Sequence, residues 1–353
     1  AGDPAPLELN GLRHGIVFGP EANWLVYDGG AGKTRLEQLR LVDQAMALQL
    51  ANAREQTVAG VTKTYLAAAK LERQLELAAE NIELSNARLA RAERDTRYGQ
   101  VNSLRRLQAQ VDLNTDSAAY RNLILQVDNL KRSLNELMGR APETLLSLSV
   151  PSTLRPRQID YVQLEEDLLF HNEDLAQARH RIKQSEQELQ LAGTAWKPNV
   201  QLYANASYFN QTDNANFLLE NRAIGTQAGV RVSYSLYDGG ARSVQKQQAK
   251  ISIEQRNAEV TAVTQQLKTL LRQALATYDN ARVQLRLEQA NLPTFELNFT
   301  KTEEDFRLGQ VDATVLRTAQ LNLNAAKTRI ALLEFGVREA EVELLRLTGR
   351  LVE

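Results

Sequence analysis

The chain has 353 residues, 42 Lys and Arg against 43 Asp and Glu, and no cysteine. Disulfides, thiolate nucleophiles and cysteine zinc sites are excluded, and a net charge of −1 with both signs mixed offers no basic face for nucleic acid. Only 8 prolines and 18 glycines punctuate long stretches of strong helix formers, so few, very long helices are predicted.

In chain order, residues 12–27 alternate imperfectly, with Leu12, Ile16, Phe18, Trp24 and Val26 on one side and Arg13, Glu21 and Asn23 on the other. This predicts a strand that Pro20 weakens or bulges. The turn Asp28-Gly29-Gly30 follows, with Asp28 placed to cap a helix. From Ala31 to about Arg97 there is no proline, which predicts one helix of roughly 100 Å. A return helix over 102–138 and a helix from Tyr161 to Trp196 are each about 55 Å long, so end to end they match the first rod. Between them, Ala141-Pro142 through Pro156 forms a connector.

Strands are predicted at 199–210, where Val200, Leu202, Ala204 and Ala206 share a face, and at 227–237, where Ala228, Val230, Val232, Tyr234 and Leu236 do. Their length suits a tilted membrane strand; the alternation alone equally fits a soluble hairpin packed on helices. No apolar run reaches the roughly 18 residues of a membrane helix, so only strands could cross a bilayer. A helix over 241–307 repeats the first rod and is expected to kink at Pro293, about four turns before its end. In the last helix Leu316, Ala319, Leu323, Ala326, Ile330, Leu333, Val337, Ala340, Leu344 and Leu347 repeat at alternating spacings of three and four, which is a coiled-coil seam. The first half keeps its lower part as Leu123, Val127, Leu130, Leu134 and Leu137.

The chain is a duplication. Setting residues 24–140 on 234–350 gives 27 identities in 117 positions without a gap, and the glycines ending each element fall in register. Tyr27-Asp28-Gly29-Gly30 matches Tyr237-Asp238-Gly239-Gly240, and Arg97-Tyr98-Gly99-Gln100-Val101 matches Arg307-Leu308-Gly309-Gln310-Val311. Gly99 and Gly309 mark tight reversals at the far end of each hairpin.

No catalytic or cofactor site emerges. Gly29-Gly30-Ala31-Gly32-Lys33-Thr34 looks like the end of a phosphate loop, but Tyr27 stands where the first glycine is needed. His14, His171 and His180 are too scattered for a ligand set. Trp24 and Trp196 suit either a membrane interface or core packing.

The twin strand-to-helix turns, the twin tips and Asn172-Glu173-Asp174-Leu175-Ala176-Gln177-Ala178 leading to Ala195-Trp196-Lys197-Pro198 together resemble the TolC-type outer-membrane efflux proteins. The resemblance spans essentially the whole chain. It implies a mainly α fold with a small β part: duplicated antiparallel hairpins that form an α-barrel when trimeric, and strands pooled into a transmembrane β-barrel. It also implies passive conduction, with no enzymatic activity and no cofactor, of cargo delivered by an inner-membrane pump and a periplasmic adaptor. The adaptor would dock at Arg97, Gly99, Gln100, Val101, Arg307, Gly309, Gln310 and Val311. Relatives often carry aspartates six and nine residues past the second tip glycine, where this chain has Val315 and Thr318. Arg105, Arg106 and Arg317 add positive charge there instead, so Arg105, Asp312 and Arg317 are the candidate gate, with Asp312 able to pair with an arginine. The alternative is that these arginines face solvent or pair with nearby carboxylates.

The expected division is a strand of the first half in 1–30, the first hairpin in 31–140, a connector in 141–160 and a leading helix in 161–197. A strand pair in 198–240 and the second hairpin in 241–353 complete it. The corresponding leading helix and strand of the first half would precede residue 1, placing Ala1 in an extracellular loop and leaving a twelve-stranded trimer in need of that strand. A periplasmic coiled-coil adaptor is the competing class.

Overall fold

The computed structural model describes residues 13–98, 103–149, 159–213 and 220–352. In chain order the elements are β1 (Arg13–Phe18), β2 (Glu21–Tyr27), α1 (Ala31–Arg97), α2 (Ser103–Leu137), α3 (Tyr161–His171), α4 (Glu173–Thr194), β3 (Asn199–Asp213), β4 (Glu220–Ser233), α5 (Ala241–Arg307) and α6 (Ala313–Leu347). The two matched long helices, α1 and α5, are each 67 residues. α5 runs through Pro293 without a break, although the missing N–H leaves the Gln289 carbonyl without its helical donor.

Two compact units result, and each draws on both sequence halves. One comprises 1–46 and 178–260, the other 47–177 and 261–353. In the first unit β3 is central, with β4 antiparallel on one edge and β1 and β2 antiparallel on the other. The strand expected over 12–27 is interrupted at Gly19-Pro20; Leu12 lies outside the described residues. Phe18 pairs with Tyr208 and Glu21 with Asn205, so the register carries across the interruption. Pro20 cannot donate to the ladder, but its carbonyl accepts from the Ala206 amide at 3.1 Å. Gly19 is required by close approach: a Cβ there would stand 1.7 Å from the Ala206 carbonyl oxygen. The bulge falls later, between Leu25 and Tyr27.

The pairing puts like on like. Val200 faces Val232, Leu202 faces both Val230 and Trp24, and Tyr208 faces Ile224 and Phe18. On the other face Gln201 meets Arg231 and Asn205 meets Gln227. The expected strand over 227–237 is corrected to Glu220–Ser233: β3 begins at Asn199 opposite Ser233, so residues 234–237 have no partner strand on it.

The second unit is helical, with its core along α6. Leu316, Ala319, Leu323, Ala326, Val337, Ala340, Leu344 and Leu347 of the expected seam are buried, whereas Ile330 and Leu333 are half-buried. Phe335 and Val342 add a second row against Leu66 and Ala69 of α1. α1 runs antiparallel to α6, tied by Lys63 to Glu343 and by Lys70 to Glu339 at 3.2 Å. Asn81 Oδ1 accepts from Gln320 at 2.5 Å and Asn324 at 2.6 Å, a polar layer of the kind that fixes register between helices.

The single helix expected over 161–196 is also corrected. It breaks at Asn172, whose backbone turns extended (ψ 121). The Asn172 side chain accepts from the Leu175 amide at 2.9 Å, starting α4, and donates to the Leu347 carbonyl at 3.0 Å, closing the end of α6.

Candidate functional site

The strand-to-helix turns are the same structure twice. Asp28 Oδ1 accepts from the Gly30 amide at 3.0 Å and its other oxygen from Gly32; Asp238 accepts from Gly240 at 3.1 Å and from the Arg242 amide at 2.9 Å. Gly29 and Gly30 have φ of 70 and 89, and Gly239 and Gly240 have 67 and 89, so four glycines occupy the left-handed region. The Asp28 carboxylate occupies the very amides a phosphate would need, which removes the phosphate-loop reading of Gly29–Thr34. Arg242 joins its turn to Trp196, lying 4.6 Å above the indole. Trp196 is thus stacked rather than buried, and Trp24 is exposed on the strand face.

At the second tip, the Gln310 amide donates to the Asp305 carbonyl at 2.9 Å and the Gly309 amide to Phe306 at 3.1 Å, with Gly309 at φ 77. This is a Schellman closure, and it leaves Arg307 and Gln310 exposed and Val311 half-buried. Arg97 is exposed at the end of α1; Gly99, Gln100 and Val101 lie outside the described residues. Asp312 is the N-cap of α6, accepting from Thr314 at 2.8 Å and Val315 at 3.1 Å.

Beside this tip, in the helical unit, lies a cavity of about 250 Å³ between α1, α2, α5 and α6. It brings two of the three candidate gate residues together, since Arg105 and Arg317 both line it, with Arg88, Arg91, Asp95 and Asp112. Their situations differ. Arg317 is clasped by Asp116 at 2.8 and 3.0 Å and lies 3.6 Å from Asp112. Ser85 also donates to Asp116, at 2.5 Å, and Arg88 donates to Ser85 at 2.9 Å. Burial opposes the Asp116 charge, yet hydrogen bonds from Arg317 and Ser85 and the charges of Arg317 and Arg88 hold its pKa below the ordinary carboxylate value. Burial, then the Arg317 charge, pulls the Arg88 pKa down against Asp112 and Asp116, and Arg88 Nε is buried with no hydrogen-bond partner. Arg105 is exposed and has no ion pair among the described residues. This cluster escaped the sequence because Asp116 and Arg317 are 201 residues apart and Ser85 carries no motif.

The histidines stay apart. His180 is buried against the Leu41 carbonyl at 2.6 Å and His171 bonds the Asp167 carbonyl at 3.3 Å. Among the described residues no three His, Asp or Glu side chains could share a metal ion, and no helix is long and apolar enough to cross a membrane.

An exposed sheet with one apolar face, continuing through twin Asp-Gly-Gly turns into duplicated hairpins, is the architecture of an outer-membrane channel component. The family model of the outer membrane efflux protein matches residues 164–350, more than half of the chain, and the chain belongs to that family. Solved structures agree in fold. VceC of Vibrio cholerae superposes with a TM-score of 0.76 at 14% identity, covering 96% of this chain and 87% of its own. The outer-membrane channel OprN gives 0.78 at 16%, covering 96% and 81%, and CusC gives 0.72 at 19%, covering 96% and 82%. No curated protein matches in sequence. The protein is therefore an outer-membrane channel component of efflux systems that extends into the periplasm, and its family and solved relatives are channels. The adaptor alternative gives way to this membership.

Proposed function

We propose that three copies of the chain form one continuous duct, with the strands pooled in an outer-membrane β-barrel and the hairpins in a periplasmic α-barrel. The carrying observation is the apolar sheet face, where Trp24, Ile224, Val230 and Val232 are all more than half exposed beside open strand edges. Cargo is delivered by an inner-membrane pump, of the tripartite efflux or type I secretion kind, through a periplasmic adaptor docked at Arg97–Val101 and Arg307–Val311. In this reading Arg105 supplies the free charge of the gate, while Arg317 and Asp312 hold the helices that frame it.

The test is electrical. Trimers extracted from outer membranes and placed in planar bilayers should conduct, and Arg105→Ala should shift the reversal potential toward cations, because focused charge in a narrow pore biases ion entry. Gly309→Val, strained at φ 77, should abolish export in cells while the barrel still inserts. Trimers that never conduct, or export untouched by Gly309→Val, would refute the assignment.

A further inference from the structure

The tip cavity that holds Arg105 and Arg317 carries more chemistry than their proposed part in the gate uses. Its lining carries four arginines, Arg88, Arg91, Arg105 and Arg317, against two aspartates, Asp95 and Asp112. Arg317 is satisfied by Asp116, and Arg91 lies 4.9 Å above the Phe306 ring with Asp95 at 3.9 Å. Two cations are left short of partners. Arg88 reaches Asp112 only at 3.6 Å and keeps an unbonded, buried Nε, while Arg105 has no ion pair among the described residues. An uncompensated guanidinium in a walled cavity favours an anion, and its planar fork matches a carboxylate. Of the remaining wall, Phe306, Ala92, Ala109 and Ala313 form an apolar stretch, and only Gln108 and Thr314 are polar. That wall disfavours a fully hydrated inorganic anion and suits a flat carbon body.

We propose that this cavity is a binding site for a small aromatic or short-chain carboxylate, its body against Phe306 and its carboxylate toward Arg105 and Arg88. The site lies within one protomer's helices and does not depend on conduction. Occupied, it would bridge the α1–α2 hairpin to α5 and α6.

The test uses the full-length protein in detergent, with 4-fluorobenzoate as the probe and neutral 4-fluorobenzamide as the control for micelle partition, followed by fluorine NMR. Saturable broadening is expected for the acid alone. Arg105→Gln should weaken binding about tenfold, the loss of one charge-assisted hydrogen bond. Arg105→Lys should lose less, and Phe306→Ala should weaken the acid without admitting the amide. Circular dichroism of each variant verifies that the helices persist. The proposal is overturned if acid and amide behave alike, or if both Arg105 variants bind as the parent does. Inorganic phosphate displacing the probe as well as benzoate does would overturn it too, since the apolar wall would then count for nothing.

Discussion

Arg317 shows how position and role separate. Its number places it eight residues past the second tip glycine, among the charges expected to ring a pore, yet its side chain is only 14% exposed and its partner Asp116 only 9%. Breaking a buried pair leaves one charge uncompensated, which typically costs about 3–5 kcal/mol. Asp116→Asn should therefore destabilise the helical unit by about that amount, read from helical unfolding in guanidinium, while the paired change Asp116→Leu with Arg317→Met should recover much of the loss. The pH dependence has a defined sign. The folded pKa of Asp116 lies below its unfolded value, so the stabilisation is fully present above the unfolded pKa of about 4 and is lost as pH falls through the folded one. Acid unfolding of the parent below about pH 4 should be steeper than that of the Asp116→Leu/Arg317→Met pair. Equal steepness would mean the pair is not linked to folding. The sequence offers a carboxylate partner for Arg317 only as an alternative and does not name Asp116, because an ion pair between distant helices leaves no periodic trace.

Helices and turns were more legible, and for a physical reason: their determinants are local. Asp28-Gly29-Gly30 and Asp238-Gly239-Gly240 carry their own cap and their own left-handed glycines, so the turn could be read from the residues alone. The break at Asn172 is hidden because no Gly or Pro marks it and Leu168, Leu169, Glu173 and Leu175 on either side favour helix. The signal was present in Asn172-Glu173-Asp174, a cap followed by acidic residues in the first turn of α4. Strand ends were misplaced for the opposite reason. Tyr234–Tyr237 corresponds to Trp24–Tyr27 of β2 in the duplication but not in its surroundings, since β3 begins opposite Ser233 and gives these residues no partner. Asn172 gives a graded test, because one side chain closes two helices. Asn172→Ala should lose the cap and leave the Leu347 carbonyl short of a donor, about 2–3 kcal/mol together. Asn172→Asp keeps an acceptor for the Leu175 amide but cannot donate to Leu347, so it should fall between the two in thermal unfolding. If Asp matched Ala, the cap would contribute nothing.

For the assembled protein, the controlling fact is that the four described strands leave the sheet open at its edges. β3 is paired on both sides, but among the described residues the outer edges of β4 and of β1 and β2 have no partner, and the face carrying Phe18, Trp24, Ile224 and Val230 is exposed. In lipid an unpaired edge leaves amides and carbonyls with nothing to bond, so the edges must close on other copies. In the proposed trimer, assembly and membrane insertion then become one event, and the two sheet faces should respond oppositely to charge. Ala228 lies near the middle of β4 on the apolar face, opposite Ala204, whereas its neighbour Gln227 lies on the polar face opposite Asn205. An arginine facing lipid near the midplane costs about 2–4 kcal/mol per copy, a burden tripled in a symmetric trimer. Ala228→Arg should therefore deplete the crosslinked trimer from outer-membrane extracts, while Gln227→Arg, turned toward water, should leave its yield unchanged. The reverse pattern would put the apolar face on the inside of the barrel, and equal loss from both would mean that neither face meets lipid.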